Sequence, residues 1–128
     1  MQKILVFASI AFVFLSSAFK PVTGLDDVIG ALRNGNAQEL SRFIDDKIEI
    51  SLPDKSDSYS KSQAVMVLKD FFNNSGVTGF EVQFKGENGG SQFCVGKLQT
   101  KSGSYRTTVF MKTKEGKQLV KEIRFQSL

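Results

Sequence analysis

From Gly76 to the C-terminus the chain alternates apolar and polar residues over four runs, broken by the turn-forming stretches "GENGG", "KSGS" and "KEGK". Alternation of period two puts one side-chain set on each face of a strand, and short Gly-rich breaks join neighbouring strands as hairpins. The C-terminal two fifths of the chain is thereby committed to an antiparallel meander. "GFEVQF" directs Phe80, Val82 and Phe84 to one face, and Gly96 in "SQFCVGKLQT" is a candidate bulge position. "YRTTVFMKT" opposes Tyr105, Thr107, Val109 and Met111 to Arg106, Thr108, Phe110 and Lys112, and "QLVKEIRFQ" turns Ile123 and Phe125 inward.

The segment before the meander is mostly helical. "LDDVIGALRNGN" spaces Leu25, Val28, Ile29 and Leu32 at helical intervals, carries Asp26 and Asp27 in its first turn and stops at Gly35. Asn36 caps "AQELSRFI", with Leu40, Phe43 and Ile44 on one face, so the two form a helical hairpin or a kinked pair. "DKIEISLP" is a short strand ended by Pro53, and "DKSDSY" is a polar loop. Ser60 then caps a third helix whose stripe of Ala64, Val67, Leu68 and Phe71 faces a core, with Phe72 on its flank. Helices first and a meander after them predict an α+β domain, with the helices packed on one face of a curved antiparallel sheet.

The N-terminus sets the compartment. Lys3 precedes an apolar run from Ile4 to Leu15, followed by Ser16, Ser17 and Ala18, the pattern of a signal peptide over residues 1–18. The run is shorter than the roughly 20 residues a spanning helix needs. The expected product is one exported domain over residues 19–128, periplasmic or secreted, with no membrane span after cleavage. A chain of that length buries roughly two thirds of its unfolded surface, enough for a core without metal or disulfide. Cys94 is the only cysteine and reads as a small buried hydrophobe.

Composition restricts the chemistry. The chain has no histidine, which removes His-dependent triads, Cys-His dyads and His-ligated zinc, and no metal-ligand cluster or phosphate-binding loop is present. No cofactor is expected. Net charge is uneven: between Phe19 and Thr78 seven Lys and Arg face nine Asp and Glu, a net −2, and from Gly79 onward nine face four, a net +5. The basic residues alternate with apolar ones, as on the solvated face of a sheet, with no basic run that would mark a nucleic-acid partner.

"YSKSQAVMVLKDFF", "GKLQTKSGSYRTTVFMK" and "VKEIRF" resemble a family of small exported bacterial proteins of unknown function assigned to the nuclear transport factor 2-like superfamily, whose cone-shaped fold is shared by ketosteroid isomerases. The resemblance implies that ligands or substrates sit at the open end of the cone, and that dimers form through the outer face of the sheet. Enzymatic members hold an Asp base and acidic or phenolic donors inside the cone. Here Glu81 and Glu122 fall on the outward phase, and the nearest candidate bases, Asp57 and Asp70, read as solvated. No catalytic or metal-ligating residue is therefore assigned.

Tyr59, Phe72, Phe84, Tyr105 and Thr107 are the candidate lining of an apolar cone pocket for a small apolar ligand, and Arg106, Phe110 and Arg124 are candidates for an outer interaction face. That face would meet a second copy or an envelope protein. The leading expectation is a non-enzymatic binding or accessory module of the cell envelope. The alternatives are a structural interaction protein acting through the outer face, and an isomerase- or dehydratase-like enzyme.

Overall fold

The computed structural model of the protein describes residues 24–128. The expected signal peptide lies outside the described residues. Helix α1 (Gly24–Asn34) buries Leu25, Val28, Ile29, Ala31 and Leu32. It ends where Gly35 adopts φ +61°, against Val77 of the first meander strand. Helix α2 (Ala37–Ser41) is capped by Asn36, whose side chain accepts the Glu39 N–H at 3.0 Å.

The sequence pattern carries this helix on to Ile44, but the chain leaves it at Ser41. The Phe43 carbonyl accepts the Val120 N–H, so the backbone is already captured by the last strand. Ile44 is buried all the same, as the first residue of strand β1 (Ile44–Leu52).

The second departure follows directly. The stretch read as polar loop is strand β2 (Lys55–Ser60), paired antiparallel with β1 from Leu52↔Lys55 to Lys47↔Ser60. It stands at the sheet edge with its polar side chains in solvent, so no apolar alternation marks it. Main-chain pairing alone makes it a strand.

Helix α3 (Lys61–Ser75) starts at a capping box, in which the Ser60 side chain accepts the Gln63 N–H and the Gln63 side chain accepts the Ser60 N–H. It ends at Gly76, whose φ of +73° suits a left-handed cap. Its buried positions are Ala64, Leu68, Phe72 and Ser75. This reverses the expected roles of the two phenylalanines: Phe72 is core at 3% exposure, and Phe71 is the half-buried flank. The stripe is centred by the four-residue steps from Ala64 to Phe72, and Phe71 falls one residue short of it.

Strands β3 (Val77–Asn88), β4 (Ser91–Thr100), β5 (Gly103–Lys114) and β6 (Lys117–Ser127) complete a six-stranded sheet in the order β2-β1-β6-β5-β4-β3. The sheet is not antiparallel throughout, because β1 and β6 run parallel. A parallel pair needs a long crossover, and α3 with three meander strands supplies it. The helices cover one face. Between the layers lie Ile48, Ile50, Leu98, Val109, Met111, Val120, Ile123 and Phe125 from the sheet, packed with the buried faces of the helices.

Candidate functional site

Two surfaces compete for the role of site: the cone interior and the uncovered face of the sheet. Inside, Thr107 is completely buried, and its Oγ1 donates to the Tyr105 carbonyl on its own strand at 3.3 Å. Tyr59 and Tyr105 are half-buried against the core. The Phe71 ring lies 5.2 Å from Tyr105 and 4.7 Å from Phe125, and Phe72 meets Phe125 edge-on at 6.1 Å. These separations are those of rings packed on one another. Tyr105 and Phe72 both lie against Phe71, and Thr107 pairs with Phe125, so the three are brought into one neighbourhood. Cys94 is buried as well, and burial pushes its thiol up to about 11, which keeps it protonated.

Phe84 does not join this group. Val82 pairs with Gly96, but Phe84 pairs with the next residue back, Val95, so Gln83 is an extra residue on β3. Such a bulge shifts the phase of everything beyond it. Phe84 therefore shares the outer face with Val95 and is 59% exposed, where unbroken alternation predicts it inside. The irregularity expected at Gly96 belongs to the partner strand opposite it. Gly96 instead permits a close approach. A Cβ there would stand 2.5 Å from Cζ of Phe80 and 2.6 Å from the Glu81 carbonyl oxygen, so only glycine lets Phe80 lie across β4.

The displaced Phe84 completes a row. Its ring centroid is 5.6 Å from that of Phe93, and Phe93 stacks on Phe110 at 6.1 Å, directly across the β4–β5 pair. Arg106, Phe110 and Arg124 share this outer face, as alternation predicts. Arg106 stands opposite Lys97 on β4, and Arg124 donates through Nε to Glu122 Oε2 at 2.6 Å. Phe93 is not distinguished by the sequence pattern, and the signal for it was its place opposite Phe110 on an adjoining strand.

Beyond Phe110 the same rows continue across β6, β1 and β2. Phe110 pairs with Glu122, Glu122 with Glu49 and Glu49 with Ser58, while Arg124 pairs with Ser51 and Ser51 with Ser56. They line two adjoining grooves, of about 670 and 230 Å³, that share Glu49 and Glu122.

A third arrangement has no signature in the sequence. Asp45 is 4% exposed and is the buried carboxylate of the described residues. Lys121 Nζ lies 2.9 Å from its Oδ2, Lys114 Nζ lies 3.2 Å from its Oδ1, and the Asp46 N–H donates to Oδ1 at 2.7 Å. The Lys121 hydrogen bond, then the Asp46 N–H, hold the carboxyl down at about 2, and Asp45 in turn raises the Lys114 ammonium. With its oxygens taken by two cations and an amide, Asp45 clamps β1 to the β5–β6 hairpin and has no proton to exchange near neutral pH. In "FIDDKIEI" nothing separates it from Asp46. The β1–β6 register is irregular between Ile44 and Glu49, and of the two only Asp45 is buried, beneath Lys114 and Lys121.

Asp57 and Asp70 are exposed, as is Glu81. Among the described residues no group of three or more His, Cys, Asp or Glu side chains is placed to hold a metal ion, and no helix is long and apolar enough to cross a membrane.

Residues 25–126 match the family model described as a domain of unknown function (DUF4783). A DUF4783 family protein from Bacteroides uniformis ATCC 8492 is 32% identical, with a TM-score of 0.78 over 80% of this chain and 95% of that one. Its counterpart from Bacteroides ovatus ATCC 8483 is 31% identical, with a TM-score of 0.77 over 80% and 93% of the two chains. An NTF2-like protein of unknown function from Cytophaga hutchinsonii ATCC 33406 shares the fold at 10% identity, with a TM-score of 0.61 over 85% and 93%. No curated protein matches the chain. The chain therefore belongs to the DUF4783 family and has the α+β, nuclear transport factor 2-like fold.

Proposed function

We propose that the protein is a non-enzymatic, exported binding module of the cell envelope that works through the outer face of its sheet. The observation that carries this reading is the aromatic row of Phe84, Phe93 and Phe110, two of whose members are 59% and 38% exposed. Contiguous exposed aromatic surface is costly in water and marks a contact site more often than a scattered apolar residue does. Export is supported by the segment from Lys3 to Ala18. The absence of enzymatic activity is supported by the solvent-facing positions of Glu81, Asp57 and Asp70. A small apolar ligand between Phe72 and Tyr105 would compete with the Phe71 ring, which packs on both and on Phe125.

The test joins native mass spectrometry of the exported protein, taken without refolding, to co-sedimentation with its envelope fraction. The expected masses are those of the bare chain or its multiples. Replacing both Phe84→Ser and Phe110→Ser should weaken envelope association by at least about tenfold. The melting midpoint should stay within about 2–4 °C, because both side chains are already partly in solvent, at 59% and 38% exposure. A defined small apolar adduct that disappears in Phe72→Ala would overturn the reading in favour of the interior.

A further inference from the structure

The grooves beyond Phe110 have a lining unlike that of a protein-binding hot spot, and each class of ligand meets a different obstacle there. Phosphates, sulfates and uronates meet Glu49 and Glu122, which stand directly opposite each other on β1 and β6. Like charges so placed repel. Arg124 relieves Glu122, whereas Glu49 has no cation within salt-bridge range among the described residues. Polycations meet Arg124, Lys47 and Lys121, which line the same two grooves. Acyl chains meet hydroxyl, amide and charged groups, with Leu52, Pro53 and Phe125 the only apolar residues lining the larger groove. The chemistry left is neutral and rich in groups that both donate and accept.

Hydroxyl groups do both, and the lining answers them in kind. Ser51, Ser56, Ser127 and Gln126 each donate and accept, the Arg124 guanidinium offers forked donors, and the Glu49 carboxylate offers forked acceptors. Forked groups match the spacing of neighbouring hydroxyls on a ring. Phe110 lines the smaller groove and supplies a flat apolar surface for the C–H side of a sugar ring. The larger groove lies within the roughly 300–1,000 Å³ typical of small-ligand sites, and the smaller one extends it toward the aromatic row.

We infer that this groove binds a neutral oligosaccharide, with one ring stacked on Phe110 and its neighbours hydrogen-bonded by Glu49, Ser51, Arg124 and Gln126. The inference rests on the outer-face reading and names the ligand class that face accepts.

Isothermal titration of the exported chain tests it with four neutral tetrasaccharides, of glucose, mannose, galactose and N-acetylglucosamine, and with tetragalacturonate as the charged control. At least one neutral sugar should bind saturably with a Kd at or below about 1 mM, and Phe110→Ala and Gln126→Ala should each weaken it by about five- to tenfold. Met66→Ser, on the exposed side of α3 and outside both grooves, should leave the sugar affinity within about twofold. The inference falls if none of the four neutral sugars binds, if tetragalacturonate binds as well as they do, or if binding is indifferent to both groove substitutions. Should sugar binding fail while Phe84→Ser with Phe110→Ser still detaches the protein from envelope material, the outer-face reading stands and only the ligand class is refuted. If envelope association is also unchanged, both fall.

Discussion

On β5, Thr107, Val109 and Met111 face the helices with at most 1% exposure, while Arg106, Thr108 and Phe110 between them face outward, with Phe110 38% exposed. The same contrast runs through the sheet. Inside, the rings of Phe71, Phe72, Tyr105 and Phe125 pack on one another, so Phe72 and Phe125 are removed from water and Phe71 and Tyr105 are half covered. Outside, Phe93 packs on Phe84 and stacks on Phe110, yet Phe84 and Phe110 stay 59% and 38% exposed. Burial of the first set stabilises the fold. The second set contributes little to it and leaves free energy available to a partner. Aromatic content by itself therefore does not separate core from surface in this protein; whether the rings are covered does.

The strongest way to break the contrast is to remove an inner ring. Phe125→Ala should cost about 3–5 kcal/mol in urea unfolding, since Phe125 is fully buried among other rings. A cost below about 1 kcal/mol would mean that the interior yields like a ligand pocket. Next comes Gly96→Ala, which should cost about 1–3 kcal/mol because its Cβ meets backbone as well as the Phe80 ring. A paired Phe80→Leu substitution should recover part of that loss, and no recovery would argue that the Glu81 carbonyl contact dominates.

A smaller effect is expected at Asp45, and it is specific to acid. The folded carboxyl sits at about 2, below its ordinary 3.8, so the clamp is fully present above the ordinary value and is lost as pH falls through the folded one. Between about pH 5 and pH 2 the wild type should lose about 1–2 kcal/mol more stability than Asp45→Asn, after allowance for the half-exposed lysines. Parallel pH curves for the two proteins would refute the clamp. Smallest of all is the stability change in Phe84→Ser with Phe110→Ser, within about 0.5 kcal/mol for each substitution. A large loss there would show that the outer row supports the fold, and would remove the basis for treating it as a contact surface.

Much of the molecule was legible because its causes are local. The third helix begins at Ser60 and Gln63 and ends at Gly76 through interactions that span a few residues. Phe80, Thr107, Val109, Ile123 and Phe125 are inside, as period-two alternation requires. The outward placement of Arg106, Phe110 and Arg124 came from the same rule.

What failed depended on a partner strand. β2 exists because β1 lies beside it, and nothing in "KSDSYS" announces a strand. The chain leaves helix at Ser41 because β6 captures it at Phe43, and the parallel β1–β6 pair forms only once the meander has returned.

Phe84 shows the division most clearly. Its alternation with Phe80 and Val82 directs it inward, and one extra residue at Gln83, defined only by pairing with β4, sends it out to complete the aromatic row. Periodicity along a chain fixes which residues share a face of an unbroken strand. Register between strands fixes where that phase breaks, and it is set by contacts between residues distant in sequence. From its own local order the sequence determined the helices, the meander and the core. Tertiary pairing decided that Phe84 leaves the core and joins Phe110 on the surface, because the extra residue that shifts its phase exists only in the pairing with β4.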